Sequence, residues 1–167
     1  MLILRCTKPL LAKLAKHIPS ASGESTASTT RLGDWYAKHL NIGRHRLILS
    51  TNEETFLSVV VPAKDMPALP ARINEAVGHV LRFIGVPELT VENELREMHE
   101  VRVGPTASRR VLGYMNDHAY QVEAMVDYGG GTFDLANLAE RLSTVPCGTM
   151  DFKSPARLAR ELLGVHE

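Results

Sequence analysis

The residues of this chain best suited to chemistry lie close together, in the run TASRRVLGYMNDHAYQVEAM from Thr106 to Met125. Thr106, Ser108, Arg109 and Arg110 bring hydroxyls and two guanidinium groups to the expected start of a helix. Free backbone N–H groups and the positive end of the helix dipole favour phosphate or carboxylate at such a position. On a helical wheel Arg109, Gly113, Asn116 and Tyr120 fall in one line, at spacings of four, three and four. Arg110 and Asp117 form a neighbouring line. Val111, Leu112, Met115, Ala119, Val122 and Val126 cluster on the other side, which reads as core.

Three features of this run work against helix stability. Gly113 costs about 1 kcal/mol relative to alanine inside a helix. The Asn116 amide competes for backbone hydrogen bonds. Arg109 and Arg110 place cations where the macrodipole disfavours them. Two readings follow. In one, the line is an anion or partner site, with Gly113 admitting a ligand or a second backbone and Asn116 supplying a donor and an acceptor. In the other, Thr106 is simply the N-cap, the arginines are surface or ion-paired groups, and Gly113 lets another element of the same fold pack closely.

Other chemistry has less to stand on. The histidines (His17, His39, His45, His79, His99, His118 and His166) form neither HxxxH nor HExxH, and no Cys/His spacing suits zinc. No metal or cofactor is expected. There is no P-loop, no GxSxG elbow and no GxGxxG before a helix. The glycines from Gly129 to Gly131 follow a helix and read as its stop. Asp117 and His118 are adjacent, so on a helix they diverge by about 100° and could not easily act on one atom. Ser108 with a distant histidine is a conceivable nucleophile that nothing singles out. Trp35, Tyr36, Arg44, His45 and Arg46 are either a stacking and phosphate-contacting surface for nucleic acid or a core tryptophan beside a solvated basic turn.

Composition narrows the classes. With 19 basic and 19 acidic residues in 167, the net charge is zero and lacks the positive excess of a general nucleic-acid binder. Cys6 and Cys147 belong to no CxxC pattern and read as reduced thiols, not a secreted disulfide scaffold. The apolar N-terminus is broken by Arg5, Lys8, Lys13 and Lys16, and no stretch approaches the roughly 20 apolar residues of a membrane span. A cytoplasmic protein is expected.

The elements that must position these residues are legible in outline. Met1 to Cys6 reads as a short buried strand. Leu10, Leu11, Leu14 and Ile18 form a helical stripe that Thr7 can cap and Pro19 ends. Residues 20–30 are a polar, low-complexity loop, expected to be mobile. A three-strand meander follows, at Trp35 to Ile42, Arg46 to Ser50 and Thr55 to Val61, stopped by Pro62. Leu69, Ile73, Val77, Val80 and Ile84 give one helix face, closed by Gly85. Glu88 to Met98 is ambiguous, and His99 to Val103 alternates as a further strand. Two helices end the chain, one capped by Asp134 with Leu135, Leu138 and Leu142 inward. The other is capped by Ser154, with Pro155 at its first position and Leu158 and Leu162 inward.

The string TASRRVLGYMND resembles the S-R-x-V-L-G-x-M-N-D signature of an uncharacterised bacterial family, domain of unknown function 6933. The opening LRCTKPLLAKL, the DWYAKHL run and FLSVVVPA match its other marks, so the resemblance covers Met1 to about Met125 and weakens beyond. It implies no activity, but it features Arg109, Gly113, Asn116 and Asp117.

The fold expected is α+β in a single domain: a small antiparallel sheet of about four strands, packed with four to five helices. Strand and helix runs do not alternate as βαβ units. The expected function is a non-catalytic binding or regulatory protein. Its surface comprises Thr106, Ser108, Arg109, Arg110, Gly113, Asn116, Asp117 and Tyr120, and its partner is a protein, a small anionic ligand or a second copy in a homodimer. The alternative is an enzyme acting on a phosphate- or nucleotide-containing substrate at Thr106 to Arg110. Nucleic acid stays open as a partner but is not supported by the net charge, and no membrane partner is expected.

Overall fold

The computed structural model describes residues 1–22, 27–130 and 132–166. It contains a five-stranded mixed sheet in the order β4-β3-β2-β1-β5. The strands are β1 (Leu2–Cys6), β2 (Trp35–Ile42), β3 (His45–Asn52), β4 (Ser58–Pro62) and β5 (Val101–Pro105). The helices are α1 (Lys8–Leu14), α2 (Leu69–Phe83), α3 (Glu88–Glu97), α4 (Arg109–Tyr128), α5 (Leu135–Ser143) and α6 (Pro155–Leu162).

The α+β class stands, but the sheet is neither four-stranded nor wholly antiparallel. β2, β3 and β4 form the expected antiparallel meander, whereas β1 lies inside the sheet and pairs in parallel with both β2 and β5. β1–α1–β2 is therefore a βαβ unit that the sequence disguised. Its helix has only seven residues, and a long polar segment separates it from β2. The uninterrupted apolar run Leu2-Ile3-Leu4 fits a strand buried on both faces.

Strand alternation divides the interior in two. One face of the sheet, with Leu4, Trp35, Ile48 and Val59, packs against Leu10 of α1, Val77 of α2, Val91 of α3 and Ala159 of α6. The other, with Tyr36, Leu49 and Val60, packs against Val111 and Met115 of α4 and Leu138 and Leu142 of α5. The ambiguous stretch is α3. Its inward side carries a carboxylate, Glu94, which is buried and accepts the backbone N–H groups of Arg31 at 3.1 Å and Leu32 at 3.0 Å. Burial holds the Glu94 carboxyl above the usual range.

Smaller expectations are corrected too. β4 begins at Ser58, because Phe56 takes a left-handed φ of 59° in a turn where its ring is fully buried. In α6 Ala159 and Leu163 face inward, while Leu162 is exposed and Leu158 half-buried. Asp134 and Ser154 do cap α5 and α6 through their side chains. The expected mobile loop 20–30 is only partly described, residues 23–26 lying outside. Its ends are tied down: Ser20 bridges to Val103, and the Ser28 hydroxyl donates to Asp34 at 2.7 Å. Gly131, last of the three glycines, also lies outside the described residues.

Candidate functional site at the start and outer face of helix α4

Pairing of the strands lines up Gly104, Arg5, Tyr36, Thr51 and Ser58 in one row across all five strands. Alternation aims the last three at the α4 side of the sheet. The row is polar in an otherwise apolar interface, and it holds α4 at two points. The Tyr36 hydroxyl accepts the Ser108 backbone N–H at 3.1 Å. Nearly three turns on, the Ser58 hydroxyl lies 2.7 Å from Nδ1 of His118 and 2.7 Å from the Thr51 hydroxyl. His118 is buried, and burial pushes its pKa down to about 4, so the ring is neutral at pH 7.

Helix α4 starts at a switch point of the sheet. The adjacent parallel strands β1 and β5 send their following helices, α1 and α4, to opposite faces. Crevices of this kind commonly hold ligands in open sheets. Here the helix start is largely satisfied from within. Ser108, not Thr106, is the N-cap, and its Oγ accepts the Val111 N–H at 3.3 Å. The Ser108 N–H is used by Tyr36, whose hydroxyl also lies against the Ala107 amide. Below it, Arg5 Nε donates to Asp34 at 2.6 Å and its guanidinium reaches the Pro105 carbonyl at 3.3 Å. Glu53 joins this group, its carboxyl raised by burial first and then by Asp34 and Glu54. Burial also raises the Tyr36 phenol.

The outer line is open. Arg109, Gly113, Asn116, Asp117 and Tyr120 are all exposed, Tyr120 by 79%. A Cβ built on Gly113 would meet nothing within 4 Å, so no element of this fold requires a glycine there. Asn116 Oδ1 accepts from Lys38 Nζ at 2.8 Å, which leaves its amide N–H₂ as the outward group. Arg110 is turned away from the line. Its guanidinium sits 4.8 Å above the Phe56 ring, which stacks on Tyr114 at 3.9 Å. Of the residues singled out in the sequence, Arg109, Gly113, Asn116, Asp117 and Tyr120 therefore share one surface, while Ser108 caps the helix start and Arg110 lies over Phe56.

The sequence reading missed the Ser58–His118–Thr51 cluster. The signal was present: Val111, Met115, His118 and Val122 repeat at four, three and four, placing the histidine on the apolar face. The basic and aromatic meander cluster is not one surface. Trp35 and Tyr36 are fully buried, whereas Arg44 and Arg46 are exposed at the hairpin turn at the other end of β2. Cys6 and Cys147 are free and buried. Among the described residues no group of three His, Cys, Asp or Glu side chains is placed to hold a metal, and no helix is long and apolar enough to cross a membrane. A cavity of about 670 Å³ lies between the end of α2 and α6, lined by Phe83, Ile84, Arg157 and Arg160 and by no residue of α4.

The model of a family described as a domain of unknown function, DUF6933, matches residues 3–158. The chain belongs to this family. The match runs well past Met125 into α6, so the DUF6933 domain takes in both faces of the sheet and the whole of α4, and the resemblance extends further than the sequence strings suggested. No curated protein and no solved structure matches the chain.

Proposed function

We propose that this protein is a non-catalytic binding or regulatory protein whose partner surface is the outer face of α4, from Arg109 to Tyr120. The observation that carries this reading is Gly113. A helix-interior glycine costs about 1 kcal/mol, and nothing inside the fold lies where its side chain would be. A partner approaching from outside supplies the reason. The face is the exposed outer side of a helix, and small-molecule sites are concave, so a macromolecule suits it better. Its polar groups have fixed places on a helix anchored at Tyr36 and Ser58. Two buried, unpaired thiols fit a reducing, cytoplasmic setting.

The test is capture from a lysate of the cells that make the protein, with immobilised wild type beside Arg109→Ala/Asn116→Ala. Both side chains are exposed, so the double variant is expected to fold. Loss of specifically retained protein is the expected result, and equal retention by both baits overturns the reading.

A second reading, an enzyme for a phosphate- or nucleotide-containing substrate, draws on the switch point beneath Thr106 to Arg110. Against it, Tyr36 and Ser108 already occupy the donors such a substrate would use. Calorimetric titration with inorganic phosphate and with nucleotides separates the two, since the binding-protein reading expects no heat from either.

A further inference from the structure

We infer that the occupant of the α4 face is a second copy of this chain, packed helix against helix in antiparallel fashion about a twofold axis between Asn116 and Asp117. The inference rests on the partner-surface reading above and names the partner.

Charge is the first argument. Helix α4 carries the wrong sign at both of its own ends. Its first turn holds Arg109 and Arg110 and no acid, and its last turn holds Asp127 and no base. By contrast α2, α3, α5 and α6 all have arginine in the last turn. A helix alone is destabilised by this arrangement. On the outer face the basic half is Arg109 and the acidic half is Asp117, Glu123 and Asp127, all exposed. An antiparallel second copy lays each half against its opposite. Arg109 then stands beside Glu123 and Asp127 of the second copy, and each helix start meets the acidic end of the other.

Shape is the second argument. Gly113 and Tyr120 are seven residues apart, two helical turns, and so lie on the same side about 10 Å from each other. A twofold axis midway between them sets Tyr120 of each copy over Gly113 of the other. The exposed ring gains the one position on the face with no side chain, and the glycine gains its reason. The same axis sets Asn116 opposite Asp117 of the second copy. Asn116 Oδ1 is already taken by Lys38, so its N–H₂ is left to donate, and a carboxylate is the acceptor it needs. One register thus satisfies the glycine, the tyrosine, the amide and the charges, as an isologous interface requires. A single helix pair buries less than the roughly 1,200 Å² of a stable interface, so the dimer is expected to be weak and concentration-dependent.

Sedimentation equilibrium of the full chain over a range of concentrations tests this. The wild type is expected to shift from monomer to dimer. Arg109→Glu is expected to weaken the dimer by at least about tenfold, because it opposes like charges. The triple variant Arg109→Glu/Glu123→Arg/Asp127→Arg is expected to restore it. These changes improve the helix's own end charges, so the single variant's loss cannot be put down to misfolding. A wild type that stays monomeric, or a dimer indifferent to Arg109→Glu, overturns the inference. A photoreactive benzoyl-phenylalanine replacing Tyr120, compared with one replacing the exposed Leu89, separates this outcome from failure of the partner surface itself. An adduct to the Gly113 region of a second copy supports the inference. An adduct to a different protein overturns it while keeping the partner surface, and no adduct above the Leu89 level overturns both.

Discussion

The Ser58 hydroxyl and Nδ1 of His118 lie 2.7 Å apart across the boundary between β4 and α4, both buried. The pair joins a strand to a helix 60 residues later in the chain, and Thr51 completes it from β3. Its chemistry is that of a lock. The histidine is neutral, its surroundings beyond the two hydroxyls are apolar, and the Ser58 hydroxyl donates to the Phe56 carbonyl at 3.1 Å. Charging the ring would place a cation where little can solvate it.

Stability should therefore fall with acid in a way that His118 accounts for. Burial lowers the folded-state pKa from an ordinary 6.5 to about 4, with Asp117 acting weakly in the opposite direction. A depressed histidine contributes its full stability above about pH 6.5 and loses it as the pH falls towards 4. The full loss is on the order of 3 kcal/mol. Glu94 and Glu53, both raised by burial, act in the opposite sense, so the quantity to compare is the difference between wild type and His118→Gln. Urea denaturation at pH 7, 5 and 4 should give a flatter profile for the variant. Parallel profiles would show that the ring is charged without cost.

Tyr36→Phe should cost about 1 to 2 kcal/mol, the usual consequence of leaving a partly buried donor without its acceptor. The ring stays in place, so the loss is local to the start of α4. Faster amide exchange at Ser108 and Ala107, with the middle of α4 unchanged, is the expected signature. Uniform acceleration along the helix would instead mean that the Ser58–His118 pair does not hold α4 by itself.

Much of this frame was readable from residue types. The α2 stripe from Leu69 to Ile84, the Asp134 and Ser154 caps and the Trp35–Ile42 strand follow from local rules that the tertiary structure leaves intact. What was hidden depended on partners distant in sequence. β1 reads the same whether it pairs in parallel or not, because a run buried on both faces has no alternation to set its neighbours. Glu94 concealed α3, since an acidic residue on an inward face looks like a surface until the Arg31 and Leu32 amides are placed against it. Phe56 has strong strand propensity, yet the turn that buries its ring against Tyr114 overrides it. The α4 surface was legible in position but not in exposure. Only the tertiary structure shows that Gly113 opens onto nothing and that Arg110 folds back over Phe56.

Glu94→Ala should be among the most damaging substitutions in the chain. It strips two backbone N–H groups of their acceptors, one carboxylate oxygen each, at roughly 1 to 3 kcal/mol for each donor left buried. The segment from Ala27 to Asp34, which those bonds pin to α3, should then become the first site of cleavage in limited proteolysis. If cleavage there is no faster than in wild type, the segment is held instead by Ser28 and Asp34.

Gly78 and Gly113, both inside α-helices, make opposite predictions, and the contrast tests the account of α4. At Gly78 a Cβ would come within 2.8 Å of Leu95 Cδ1 and 3.0 Å of an Arg82 guanidinium nitrogen. The gain in helix propensity from Gly78→Ala is thus offset by the shift that Leu95 must make at the α2–α3 contact. At Gly113 the space is empty, so Gly113→Ala should recover close to the full 1 kcal/mol or so and raise Tm by about 2 to 4 °C. The melts belong at low protein concentration, where association adds nothing to either variant. Gly113→Ala should be the more stable of the two, while losing affinity wherever the α4 face meets its partner. A Gly113→Ala protein no more stable than wild type would mean that the helix is already strained at that turn. The glycine would then have an internal reason and would need no partner to explain it.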